Sequence, residues 1–143
     1  MAEYKQIKFR EVLMGKLGYG CDLLEELTRI SVEHGITVGR VGAIGAVKKG
    51  CLGYYNQGTQ AYQFRDFERP MEIAGLIGNV SLKDGNPFVH AHVTLADESG
   101  ASYGGHLAPG NIVFACEFTM EIFDGPAFNR CFDKETGLQL WSI

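Results

Sequence analysis

The sequence predicts an α+β domain, a largely antiparallel β-sheet packed with one main helix. Three observations carry this. Residues 111–123, NIVFACEFTMEIF, alternate in period two, with Ile112, Phe114, Cys116, Phe118, Met120 and Ile122 on one face and Glu117 and Glu121 on the other. Residues 22–34 form the one stretch with helical spacing, Leu23, Leu24, Leu27 and Ile30 making a single apolar stripe. The remaining segments are short β-prone runs joined by turn residues, and 19 glycines in 143 residues suit tight turns and close strand packing. With 45% hydrophobic residues the chain can build a core as one domain over residues 1–143.

In chain order, residues 4–12 read as a first strand with Ile7 and Phe9 on one face, and residues 16–20 as a glycine-flanked loop. Asp22 opens the helix, with Glu25 three positions on in the manner of a capping box. Gly35 ends it, and His34 in the last turn is best explained as a capping or surface residue. Residues 36–47 read as a bent, glycine-rich strand. Gly39, Gly42 and Gly45 recur at the wrong spacing for a dinucleotide-binding loop. Lys48, Lys49 and Gly50 read as a turn, residues 51–56 as a return strand, and residues 61–67 as another strand, broken by Arg69-Pro70. Residues 71–82, MEIAGLIGNVSL, are apolar enough for a central strand, and residues 83–87 are a strong turn signal. The tail, residues 124–143, carries Phe128, Phe132, Leu138, Leu140 and Trp141 and is expected to fold back over the sheet or onto a neighbour.

The chemistry concentrates in residues 86–107, which hold three of the four histidines. His90 and His92 lie two apart in an alternating run and share a face if that run is a strand. His106 joins them only under one turn geometry. A two-residue loop, Glu98 and Ser99, would pair His106 with Ala91 and turn it away. A three-residue loop, Glu98, Ser99 and Gly100, would set His106 opposite His92. Such loops end in a left-handed residue, usually glycine, and Gly100 stands at that position. The three imidazoles would then converge as candidate ligands of one divalent metal, zinc being the natural partner of such a donor set. Gly104, Gly105 and Gly78 would keep side chains off the approach to His106. Glu72 and Glu117 are candidates for a fourth ligand, a carboxylate orienting an imidazole, or a general base.

Composition narrows the classes. A net charge of −4 argues against a nucleic-acid footprint, which normally shows a basic stripe. No apolar run is long enough to span a bilayer, and the first residues lack the apolar segment of a signal peptide. Cys21, Cys51, Cys116 and Cys131 are scattered and read as the reduced thiols of a cytoplasmic protein, Cys116 as a core residue. No GxSxG is present.

The run GxPxxHxHxxLxxxxGxxxGGHL resembles the plant and prokaryote conserved domain, PPC or DUF296. Here it is Gly85, Pro87, His90, His92, Leu95, Gly100, Gly104, Gly105, His106 and Leu107, with an extra residue after Gly85. The order of a DLLEEL helix, HGITVGRVGAIGAV, LGYY and MEIAGLIGN extends the resemblance to about residues 4–123. It implies a homotrimeric α+β sandwich. Plant members bind AT-rich DNA through a separate AT-hook with the core RGRP, of which this sequence has only Arg69-Pro70. Stand-alone prokaryotic members are commonly labelled predicted DNA-binding proteins. Plant domains generally lack the histidine triad, so the resemblance points to a metal-binding prokaryotic branch.

Three functional classes follow: a trimeric metal-binding domain with a binding or regulatory role and room for a small-molecule ligand at the metal; a metalloenzyme of hydrolase or lyase type; and a DNA-associated protein, which the acidic balance disfavours.

Overall fold

A computed structural model describes residues 1–143 as nine strands and one helix. The strands are β1 (Lys8–Leu17), β2 (Gly39–Asn56), β3 (Ala61–Phe67), β4 (Met71–Lys83), β5 (Asn86–Ala96), β6 (Ser102–Leu107), β7 (Ile112–Asp124), β8 (Asn129–Phe132) and β9 (Gln139–Ser142), and α1 spans Leu23–Glu33. The pairings are antiparallel except for a short parallel contact between β8 and the end of β4.

The helix forms as its sequence dictates. Asp22 caps it, one carboxylate oxygen accepting from the Leu24 and Glu25 amides at 3.0 and 3.1 Å. The reciprocal Glu25 bond of a capping box does not form. Instead the other Asp22 oxygen accepts from Gly110 N at 2.6 Å, tying the helix start to the loop after β6. Leu23, Leu27 and Ile30 are buried, and His34 lies exposed at the C-cap before Gly35, whose φ is +58°.

The β2 region differs from the sequence expectation. There is no turn at Lys48–Gly50 and no separate return strand; residues 39–56 are one strand that changes partners. Its first half lies between β7 and β4, and its second half pairs with β3 and touches β6 at Leu52 and Gly53. Register shifts near Gly45 and Lys48 bend it without reversing it. Gly45 has φ +146°, and a Cβ there would sit 2.1 Å from the Ala115 carbonyl oxygen. Because β2 meets β4 at one end and β6 at the other, β2, β4, β5 and β6 close into a ring.

Two other expectations are corrected. The first strand begins at Lys8 and runs to Leu17, taking in residues placed in a loop, because β7 pairs with it throughout. The apolar face of β7 is interrupted. A register shift beside Phe114 turns that ring outward, 58% exposed, while Val113 is fully buried. From Cys116 to Ile122 the alternation holds, with alternate residues in the core. The tail folds into the β8–β9 hairpin, burying Phe128 against Trp141 at 4.8 Å between ring centroids.

Val89, Ala91, Val93 and Leu95 of β5 face inward into one core with α1 and the inner faces of β2, β4 and β7. The even-numbered residues of β5, His90 and His92 among them, therefore face outward.

Candidate metal centre

The hairpin between β5 and β6 has the three-residue loop. Asp97 N donates to Ala101 O at 2.9 Å, and Gly100 N to Asp97 O at 2.9 Å, with Gly100 at φ +81°. The Asp97 carboxylate reinforces the turn by accepting from the amides of Ser99 and Ala101 at 3.0 and 3.2 Å. The register then places His92 opposite His106.

His90, His92 and His106 consequently meet on the outer face. Their ring centroids are 5.2 to 5.8 Å apart, and one nitrogen from each lies within 4.8 Å of the others. A tetrahedral zinc site with bonds of about 2.0–2.1 Å has nitrogen–nitrogen edges of about 3.3 Å, so modest ring rotations would bring the three to coordination distance. The His106 Nδ1 atom is buried without any hydrogen-bond partner. A buried polar atom left unpaired is costly, and a cation would relieve that cost. The donor set thus fits a divalent metal.

The electrostatics favour the ligating, neutral form. Burial, then the Arg130 guanidinium and the two neighbouring imidazoles, hold His90 down to about 4. Burial, with His92 and Arg130 behind it, lowers His106 as well. Metal binding need not first displace protons from these rings near neutral pH.

Several neighbours were not apparent from sequence. Tyr62 of β3 packs its ring 4.8 Å from His106. Gly53 lies opposite His106, and a Cβ there would press to 3.3 Å against both the His106 Cβ and the Tyr62 ring. Arg130 of β8 reaches Asn79, the residue paired with His90, with a 2.9 Å hydrogen bond. These residues come from distant parts of the chain, and only the ring closure and the tail hairpin bring them near; no local pattern announces them.

Other expected neighbours are placed elsewhere. Glu72 pairs with Ala96, four residues along β5 from His92 and therefore about 13 Å away. Glu117 pairs with Lys16 and Ile44 on the far side of β2, with β2 and β4 between it and His92. Within one chain the structure does not bring either carboxylate to the histidines. Gly104 does leave the outer face beside His106 open, but Gly78 and Gly105 serve close strand contact. A Cβ at Gly78 would lie 2.4 Å from the His90 carbonyl oxygen, and one at Gly105 would lie 2.8 Å from that of Gly53.

A ring-closed, single-helix sheet with an outward histidine triad defines a class of small β-rich domains with a candidate metal centre. The family model of the Plants and Prokaryotes Conserved (PCC) domain matches residues 4–124, and the chain belongs to that family. Among solved structures, a metal-containing protein from Archaeoglobus fulgidus is 39% identical and superposes with a TM-score of 0.94, covering 99% of this chain and 100% of its own. A plant- and prokaryote-conserved protein from Pyrococcus horikoshii is 32% identical with a TM-score of 0.92, covering 99% and 98%. A candidate DNA-binding protein from Bacteroides thetaiotaomicron, 24% identical with a TM-score of 0.86 and covering 96% and 98%, shares the fold. A curated relative, bifunctional protein GlmU of a Synechococcus strain, is 35% identical over 124 residues, which are 82% of this chain but 18% of that protein. The chain thus spans less than a fifth of the length of this relative.

Proposed function

We propose that His90, His92 and His106 hold one zinc ion per chain, and that the protein, a single domain, works as a homotrimeric metal-binding module with a ligand-binding role. The observation that carries this is the convergence of three imidazoles, two of them held neutral by their surroundings and one, His106, with a buried Nδ1 that has no hydrogen-bond partner. The archaeal relative described as metal-containing supports it. Bound zinc would supply Lewis acidity and an open coordination position. The same arrangement suits a metalloenzyme of hydrolase or lyase type, and turnover of a substrate would distinguish that reading.

The trimer is supported by the outer sheet face. Met14, Thr119 and Gly42 form a row in register across its β1–β7–β2 part. Met14 on this row is 79% exposed, and Ile44 nearby is 57% exposed. Such apolar surface commonly marks an interface. Light scattering of the purified protein should give three times the chain mass; a monomer at micromolar concentration would refute the assembly. A cytoplasmic location suits the four free cysteines, and no helix is long and apolar enough to cross a membrane.

DNA association rests on the names of neighbours below 25% identity, and phosphate neutralisation is poorly served by a net charge of −4. In a gel shift at physiological salt the protein should leave duplex DNA unretarded at nanomolar concentration. Nanomolar binding that survives competitor DNA would reverse that conclusion. For the metal, elemental analysis should find about one zinc per chain in wild type and in His34→Ala, and almost none in His92→Ala. Full metal in His92→Ala, or its loss in His34→Ala, would show the centre wrongly placed.

A further inference from the structure

A pocket of about 640 Å³ opens beside the histidines, with His90 and His92 on one side and Ile77, Phe128 and Trp141 among its apolar walls. That volume suits a small organic molecule, and one face of any occupant would meet aromatic surface.

The charges that line the pocket nearly balance, an unpaired Glu3 offsetting an unpaired Lys5, and the uncompensated charge lies behind its wall. Glu3, Lys5 and Arg40 line the pocket. Arg40 is already ion-paired with Glu121 at 3.6 Å. Lys5 has no carboxylate partner; its Nζ donates to Ala127 O at 3.4 Å and lies 5.3 Å from the Phe128 ring centroid. Behind the aromatic wall stands Arg130, only 8% exposed. Its three hydrogen bonds go to neutral acceptors, Ser81 Oγ at 2.8 Å, Gln139 O at 3.0 Å and Asn79 Oδ1 at 2.9 Å. Its guanidinium also packs 5.8 Å from the Trp141 ring centroid and 5.2 Å from that of Phe88. No carboxylate reaches it within ion-pair distance. A buried guanidinium without a counter-charge is costly, and three of its five N–H groups are committed. A divalent metal on the histidines would add positive charge to the same end of the pocket.

The occupant that answers both features has one anionic head and an apolar body. A neutral apolar molecule would leave the charge unanswered. A phosphate ester of a polar group would meet the aromatic wall with hydrophilic surface. Resting on the reading of the histidines as a metal centre, we propose that this pocket binds a small organic carboxylate, with its head at the histidine end, where Arg130 acts at longer range from behind Asn79, and its body against Phe128 and Trp141.

The chain has one tryptophan, Trp141, so its fluorescence reports on this wall directly. The experiment titrates zinc-loaded full-length protein with benzoate, with its neutral isostere benzamide, and with inorganic phosphate, after measuring metal content. Cobalt-substituted protein, followed by its visible absorption, gives a second readout at the metal. Benzoate should produce saturable changes in both signals, at least tenfold tighter than benzamide and than phosphate. Affinity should fall at least tenfold in metal-stripped protein and in Arg130→Gln. Because Arg130 is buried and its loss threatens folding, Lys5→Gln serves as the tolerant variant and should weaken benzoate by more than twofold while leaving benzamide unchanged. Less than tenfold preference over benzamide, tighter binding of phosphate, or no saturable response would overturn the proposal. If metal is present and benzoate fails, the pocket assignment alone falls; if no metal is held, the metal centre falls and takes this proposal with it.

Discussion

The two faces of β5 differ in what they do. Val89, Ala91, Val93 and Leu95 point into the core, none more than 4% exposed, while His90 and His92 alternate with them on the outer face. One strand therefore carries packing and chemistry on neighbouring residues. The inner set is held by burial, and its loss should cost folding free energy. On the outer face His92 is exposed, adds little to packing and should be removable with the fold intact.

The largest expected effect is on the inner face. Leu95 is fully buried, and Leu95→Ala should destabilise the protein by about 3 kcal/mol through lost burial and a residual cavity. Chemical denaturation would show a lower midpoint at unchanged slope, with metal still bound by the folded fraction. A cost below about 1 kcal/mol would break the contrast between the faces. Next comes His92→Ala, which should weaken metal binding at least a hundredfold, about 2.7 kcal/mol. In metal-free protein the same change should move stability by no more than about 0.5 kcal/mol. If His92→Ala unfolds the metal-free chain, the outer face is structural after all.

A smaller effect sharpens the comparison through pH. His90 titrates at about 4 in the folded chain, below the ordinary value of 6.5. The folded state thus binds fewer protons than the unfolded state between those values, so acid favours unfolding there. Stability of the metal-free protein should be complete above about pH 6.5 and fall as the pH drops toward 4. The shift corresponds to at most about 3.4 kcal/mol, and partial solvent access reduces this to about 1–2 kcal/mol. Denaturation midpoints across this range should flatten in His90→Gln; an equal slope in that variant would assign the effect elsewhere.

The β5–β6 hairpin was legible in the sequence because its determinants are local. Alternation fixes the faces, and Gly100 selects the loop length that fixes the register. The continuity of β2 is not legible for the opposite reason. Lys48, Lys49 and Gly50 have turn-like composition, yet the strand bends through register shifts whose need is set by β4 on one side and β7 on the other. Phe114 departs from the simple alternation by the same device, since one extra residue reverses every face beyond it. Of the metal centre, the three histidines could be read in sequence, whereas Arg130 and Tyr62 could not, lying forty and twenty-eight residues from His90. Glu72 and Glu117 have the right chemistry, but strand order sets both at a distance from the histidines.

The most direct test of the central claim is a crystal of the zinc-loaded protein measured at the zinc absorption edge. The account predicts one strong anomalous peak per chain, about 2.0–2.1 Å from a nitrogen of each of His90, His92 and His106. A peak bound to His34 or to cysteine sulfur, or none at the three histidines in protein shown to contain zinc, would contradict it.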